Sequence, residues 1–94
     1  MELYRTNLAK ELPVLRAKLR LSQEELAELL DVSRHTIISI ESNKRLMQWT
    51  TFLALIYILQ QFSETRKMLA SVGLLPLEYN KMLSEIHTPD SDLN

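Results

Sequence analysis

Two short helices joined by a brief turn are predicted in the first half of the chain. Ser22 begins a capping box, because its hydroxyl would accept a hydrogen bond from the backbone of Glu25 while the Glu25 carboxylate reaches back to Ser22. The segment Asp31-Val32-Ser33 must end this helix, since its last residue is suited to capping the next one. The second helix is therefore expected over residues 34–42.

The apolar residues of both helices recur at helical spacing, which predicts one buried side for each. On the first helix these residues are Leu26, Leu29 and Leu30. On the second helix they are Ile37 and Ile40, with Ile38 beside them. Asn43 would close the second helix, because asparagine tolerates the left-handed backbone conformation.

Helices are also predicted before and after this pair, so the chain is expected to be all-α. A first helix over about residues 7–20 is indicated by four leucines, Leu8, Leu12, Leu15 and Leu19. Thr6 or Asn7 would cap it, and Pro13 would either kink it or delay its start. Three more helices are predicted: one from Thr50 or Thr51 to residue 62, one over 64–72 between a Ser63 cap and Gly73, and one over 76–86.

Composition argues against an enzyme, a metal site or a bound cofactor. The chain has no Cys, and His35 and His87 are its only histidines, which is too few for a metal site with ordinary ligand spacing. A single Gly excludes a glycine-rich phosphate loop, and there is no G-x-S-x-G motif. The longest apolar run, residues 52–59, is too short to cross a bilayer, and the N-terminus does not look like a secretory signal. A cytoplasmic protein without a membrane partner is expected.

Net charge gives little support to binding of nucleic acid. The formal charge of −1 and the isoelectric point near 6.1 predict no general attraction to phosphate. The basic residues that would have to gather on one face are Arg16, Lys18, Arg20, Arg34, Lys44 and Arg45. Binding would therefore depend on a local patch.

The stretch from Gln23 to Ser42, QEELAELLDVSRHTIISIES, resembles the helix-turn-helix of the Cro and phage-repressor (XRE-like) family. The resemblance covers about residues 8–60 and implies a lambda-repressor-like bundle of five to six helices. The small Ala27 suits the close crossing of two helices. The family usually has Gly where this chain has Asp31, because the backbone there takes a positive φ, and Asp is among the next most tolerant residues.

The same resemblance implies a role for eight residues in contact with double-stranded DNA. Those expected to face base edges in the major groove are Arg34, His35 and Ser39. Those expected to contact phosphates are Gln23, Thr36, Asn43, Lys44 and Arg45. Arg34 is the best candidate for reading a base, because its planar fork matches the O6 and N7 acceptors of guanine.

The resemblance further implies a transcriptional regulator, specifically a repressor that binds a pseudo-palindromic operator as a homodimer. Residues 1–62 would form the helix-turn-helix core, and residues 63–87 would be C-terminal helices that extend the same domain for dimerisation. Residues 88–94 would be a flexible tail. A dimer interface beyond residue 45 is expected, since the fourth helix is apolar on almost every face and a surface helix of a monomer has only one apolar stripe.

Two other functions fit the same pattern. The chain would be an antitoxin if its C-terminal half also covered a protein toxin. It would be a protein-interaction module if it had kept the fold and lost DNA binding, because fold alone does not fix function. In that case the outward side chains of the second helix would be an ordinary solvated face.

Overall fold

The computed structural model describes residues 2–74, and within this range it contains five α-helices and no strand. They are α1 Glu2–Lys18, α2 Gln23–Leu30, α3 Arg34–Glu41, α4 Trp49–Leu59 and α5 Ser63–Ser71. The all-α prediction is confirmed. The helix predicted over 76–86, the part of the C-terminal extension beyond residue 74 and the tail over 88–94 lie outside the described residues.

α1 begins at Glu2, earlier than predicted, and runs through Pro13 as one helix. The prediction that Thr6 or Asn7 caps it is wrong, because Thr6 lies inside the helix, where its hydroxyl donates to the Glu2 carbonyl at 3.0 Å. Proline has no N–H for the carbonyl four residues earlier. Burial of the leucine stripe on α1 offsets this loss, since Leu8, Leu12 and Leu15 are fully buried.

The boundaries of α2 and α3 are close to the predicted ones because their capping residues act as expected. The Glu25 N–H donates to Ser22 Oγ at 3.0 Å, and the Ser22 N–H donates to Glu25 Oε1 at 2.8 Å. Asp31 closes α2 with a φ of 56°, and Ser33 caps α3 by accepting from the Thr36 N–H. Asn43 has a φ of 61° after α3, also as predicted.

Two apolar residues of these helices lie on the outside, contrary to prediction. Leu29 is 57% exposed and Ile38 is also exposed. The buried side of α2 is centred on Leu26 and Ala27 instead. At about 100° per residue, Leu29 falls at the edge of that side and turns away from the core.

α4 and α5 complete the core from the other side of α1. α4 ends at Leu59, before the predicted residue 62, because the Thr65 hydroxyl donates to the Leu59 carbonyl and the chain turns there. Ser63 is the first residue of α5 and not its cap, so that prediction is wrong. Gly73 follows α5 with a φ of 73°, as expected. α1 packs against α3, α4 and α5, and α2 packs against α3 and α4. Arg34, His35 and Ile38 of α3 remain exposed.

Candidate nucleic-acid interface

The exposed side of α3 begins with two polar residues. Arg34 and His35 form the first turn of the helix and are both exposed, while Ile37 and Ile40 on the opposite side are buried. The Ser33 cap holds this turn in place. Arg34 and Gln23 also line one open depression between α2 and α3, which brings a predicted base-reading residue and a predicted phosphate contact together.

Arg16, which also lines this depression, forms an ion pair with Glu41. Arg16 Nε donates to Glu41 Oε2 at 2.9 Å, and Arg16 Nη2 donates to Glu41 Oε1 at 3.1 Å. The Gln23 amide donates to Glu41 Oε1 at 3.0 Å, which fixes the start of α2 against the end of α3. Glu41 is the one acidic residue of α3, and its side chain is 8% exposed. α3 itself therefore presents no free carboxylate, whereas the exposed Glu24 of α2 lines the same depression as Arg34.

A second polar group joins the loop after α3 to the beginning of the same helix. Arg45 Nη1 donates to Thr36 Oγ1 at 3.0 Å, and Thr36 Oγ1 lies 2.9 Å from Ser33 Oγ. These three residues line a depression on one side of α3. Two predicted phosphate contacts, Thr36 and Arg45, are thus in direct contact.

Ser39 does not point outward as predicted. It is only 9% exposed, and both the Lys44 and Arg45 N–H groups donate to its carbonyl. Its hydroxyl lies 3.5 Å from His35 Nε2. Ser39 is therefore a neighbour of an exposed histidine and is itself largely covered.

Asn43 and Lys44 are exposed at the opposite end of α3 from Arg34. α3 has eight residues and so is about 12 Å long. The structure therefore separates these two residues from Arg34, while the Arg45 side chain returns to the first turns of α3. The predicted contact residues therefore form three groups. Two lie near the start of α3, Gln23 with Arg34 and Thr36 with Arg45, and the third lies at its end, Asn43 with Lys44.

The acidic residues of α2 lie at the protein surface, and Glu24 lines the same depression as Gln23 and Arg34. Glu24, Glu25 and Glu28 are all exposed, as expected. Hydrogen bonds from the backbone N–H and then the hydroxyl of Ser22 hold the pKa of Glu25 below its ordinary value. This carboxylate stays ionised at neutral pH and stabilises the start of α2.

Sequence reasoning missed the part played by Ser33 and Arg16. Ser33 was expected only as a helix cap, yet it also contacts the Thr36 hydroxyl. Arg16 was counted only as one of six basic residues, yet it neutralises Glu41. The Ser33–Thr36 contact is local, between residues three apart at the start of α3, whereas the Arg16–Glu41 pair depends on the packing of α1 against α3.

Two kinds of feature are absent from the described residues. Between residues 2 and 74, no group of three or more His, Asp or Glu side chains is placed to hold a metal ion. No helix in the same range is both long and apolar enough to cross a membrane.

Comparison with known proteins supports the helix-turn-helix interpretation. Residues 15–46, about a third of the chain, match the family model described as Helix-turn-helix. The match begins at the end of α1 and includes α2, α3 and the loop that carries Arg45. Neither the curated proteins nor the solved structures gave a match to this chain.

Three findings indicate a helix-turn-helix: the family match over residues 15–46, the capped α2–α3 pair and the all-α fold. The family consists of DNA-binding regulators and is generally non-enzymatic. Residues 15–46 are therefore similar to the helix-turn-helix family of DNA-binding transcription regulators, in agreement with the resemblance to the Cro and phage-repressor (XRE-like) family.

Proposed function

We propose that this protein represses transcription by occupying a pseudo-palindromic operator as a homodimer. The observation that carries the proposal is the first turn of α3, where Arg34 and His35 are exposed while the Glu41 carboxylate of the same helix is ion-paired with Arg16. Repression of this kind requires only that the protein hold its site and exclude other proteins. Residues 15–46 supply the DNA-binding part.

Arg34 and His35 are proposed to read base edges in the major groove. Within residues 2–74, Arg34 forms no ion pair, so its guanidinium is available for guanine. His35 would use the ring nitrogen that is not next to Ser39, and Ser39 would act on the bases through that histidine. The proposed phosphate contacts remain Gln23, Thr36, Asn43, Lys44 and Arg45.

Self-association is supported by an apolar groove away from α3. It is lined by Leu19, Leu21, Leu29, Tyr57, Ile58, Gln61 and Phe62. Leu29, Tyr57 and Phe62 are about half exposed or more, and exposed apolar patches of this kind usually mark an interface. The groove combines residues after position 45 with three from the first half of the chain.

A second copy of this chain is the proposed occupant of that groove. All of its lining residues except Gln61 are apolar or aromatic, so an equally apolar surface fits it best. A two-fold axis pairs such a patch with itself, which favours a homodimer.

The test is a selection of bound sequences from random double-stranded DNA with the full chain. The expected result is an enriched pseudo-palindrome with half-site centres about one DNA turn, ~34 Å, apart. Affinity should fall with salt at a log–log slope of roughly −0.9 per phosphate contact. No enrichment, or an affinity insensitive to salt, would contradict the proposal.

Within this test, Arg34→Ala should relax the preference at one base pair in each half-site. The physical reason is that a bidentate arginine–guanine pair discriminates by roughly 1–3 kcal/mol. Lys44→Ala is the matched control, since an exposed phosphate contact should weaken binding to all sequences about equally. An unchanged selected motif with Arg34→Ala would remove Arg34 from the reading surface.

The same apolar groove supports a second candidate function, that of an antitoxin or interaction module. In that case the groove would be covered by a different protein, such as a toxin. The purified chain would then be a monomer in analytical ultracentrifugation at concentrations where it binds DNA, or would not bind DNA at all.

A further inference from the structure

We propose that Glu41 is a positioning residue for DNA affinity, because it holds the Gln23 amide ready to donate to a phosphate. The inference rests on the proposed function and deepens it, since no contact with DNA is assigned to Glu41 itself. Gln23 is the first residue of α2, and Glu41 is the last residue of α3. A hydrogen bond of 3.0 Å joins their side chains across the helix pair.

The orientation of the Gln23 amide follows from the chemistry of the two side chains. An ion-paired carboxylate has no proton to donate, so the amide presents its nitrogen, and not its oxygen, to Glu41. A turned amide would place two acceptor oxygens against each other. The amide nitrogen carries two N–H groups, and Glu41 accepts from one of them. Gln23 therefore keeps a second N–H, and this is the donor that we assign to a phosphate.

Gln23 is half-buried and lies in the wall of the open depression between α2 and α3, where an outside acceptor can reach it. The residues that line the depression are Arg16, Ser22, Gln23, Glu24 and Arg34. Glu41 is not among them, and its side chain is only 8% exposed. Any effect of Glu41 on a phosphate in this depression therefore passes through a neighbour that does line it.

Charge around the depression is balanced, so a directed donor matters more there. Arg16 is paired with Glu41, and the exposed Glu24 opposes Arg34. A phosphate at this place is then held by hydrogen bonds more than by net charge. A donor that is already held in place loses less side-chain entropy on binding. Without Glu41, the Gln23 amide is free to turn and present its oxygen, which a phosphate repels.

The main test measures how much Gln23 contributes to DNA affinity with and without Glu41. Binding of the full chain to its selected operator is compared for the wild type, Gln23→Ala, Glu41→Ala and the double variant. Gln23→Ala should weaken binding by roughly three- to tenfold in the wild type, the value of one hydrogen bond. In the Glu41→Ala background the same substitution should weaken binding by less than about twofold. The comparison cancels the lost negative charge and the unpaired Arg16, since both Glu41→Ala proteins share them.

Glu64→Ala is the matched control for the loss of a negative charge. Glu64 is exposed on α5 and does not line the depression. In this background Gln23→Ala should keep its full effect on affinity, because Glu41 is still present. Thermal unfolding checks that each variant is folded at the temperature of the binding measurement.

A measurement on the unchanged chain covers the case in which Glu41→Ala does not fold. The two Nε2 protons of Gln23 give separate signals in ¹H–¹⁵N NMR spectra. Addition of operator DNA should shift the signal of the N–H that does not bond Glu41, while the bond to Glu41 persists. A Gln23 amide whose signals do not change with DNA would overturn the inference.

The outcomes separate this inference from the function on which it rests. If the wild type binds a selected operator and Gln23→Ala weakens binding equally with either residue at position 41, Gln23 needs no positioning and the inference is wrong. It is also wrong if Gln23→Ala leaves the affinity of the wild type unchanged. If the wild type selects no operator, the proposed function fails and the inference fails with it.

Discussion

At the scale of single residues, Glu41 has two effects on the reading surface. It accepts two hydrogen bonds from Arg16 and one from Gln23, so it ties α1, α2 and α3 together at one point. The same bonds neutralise its negative charge. A residue that would repel DNA if it were free thus stabilises the helix pair that is proposed to contact DNA.

Glu41→Gln should lower the free energy of unfolding by about 1–3 kcal/mol. The estimate is below that for a fully buried pair, because the Arg16 side chain is 19% exposed and water can partly replace the lost partner. Urea denaturation at neutral pH measures the change. Lys67→Gln, an exposed charge change on α5, is the control and should have an effect of less than about 0.5 kcal/mol. Equal effects of the two substitutions would mean that the ion pair contributes nothing to stability.

Glu25 should make the stability of the protein depend on pH in the acidic range. Because hydrogen bonds from Ser22 hold its pKa below the ordinary value, the unfolded chain takes up the proton more readily than the folded one. The contribution of Glu25 is therefore present above the ordinary glutamate pKa and is lost as pH falls through the lower, folded value. Melting temperatures between about pH 3 and about pH 6 should fall more steeply with acid for the wild type than for Glu25→Gln. Parallel curves would contradict this.

At the scale of helices, the ends of α2 and α3 could be predicted because the signals are local. The Ser22–Glu25 capping box and the left-handed Asp31 and Asn43 depend only on neighbouring residues. The start of α1 and the exposure of Leu29 could not be predicted in the same way. Both depend on which side of a helix meets the core, and that is decided by the packing of distant elements.

Pro13 is the clearest conflict between local preference and packing. α1 continues through it although the Ala9 carbonyl can receive no helical hydrogen bond from it. Pro13→Ala should therefore raise the free energy of unfolding by about 1–3 kcal/mol. Val14→Ala is the control, since the exposed neighbour has a normal N–H and should change stability little. Chemical denaturation measures the free energy of unfolding of the wild type and both variants. A Pro13→Ala variant less stable than the wild type would show that the proline packs favourably in α1.

At the scale of the whole molecule, the candidate site joins residues that sequence spacing alone keeps apart. The family pattern identified the helix on which Arg34 and His35 lie. It did not identify the contact of Arg45 with Thr36, which arises because the loop after α3 returns along the helix. It also placed Ser39 outside, whereas that residue is only 9% exposed. The turn out of α3 follows a local signal, the left-handed Asn43, but the contact of the Arg45 side chain with Thr36 spans nine residues.

Leu29→Glu should convert the proposed homodimer into monomers. Leu29 is exposed in the single chain and lines the apolar groove, so a charge there should leave the fold intact but must be desolvated when a second copy covers it. Sedimentation equilibrium measures the mass, and Leu3→Glu is the control, because Leu3 is 70% exposed on α1 and does not line the groove. Binding of the monomer to a full pseudo-palindromic site should weaken by roughly 10²-fold or more, since the second half-site no longer adds to the first. A wild-type chain that sediments as a monomer, or a Leu29→Glu variant that remains a dimer, would place the interface elsewhere or exclude it.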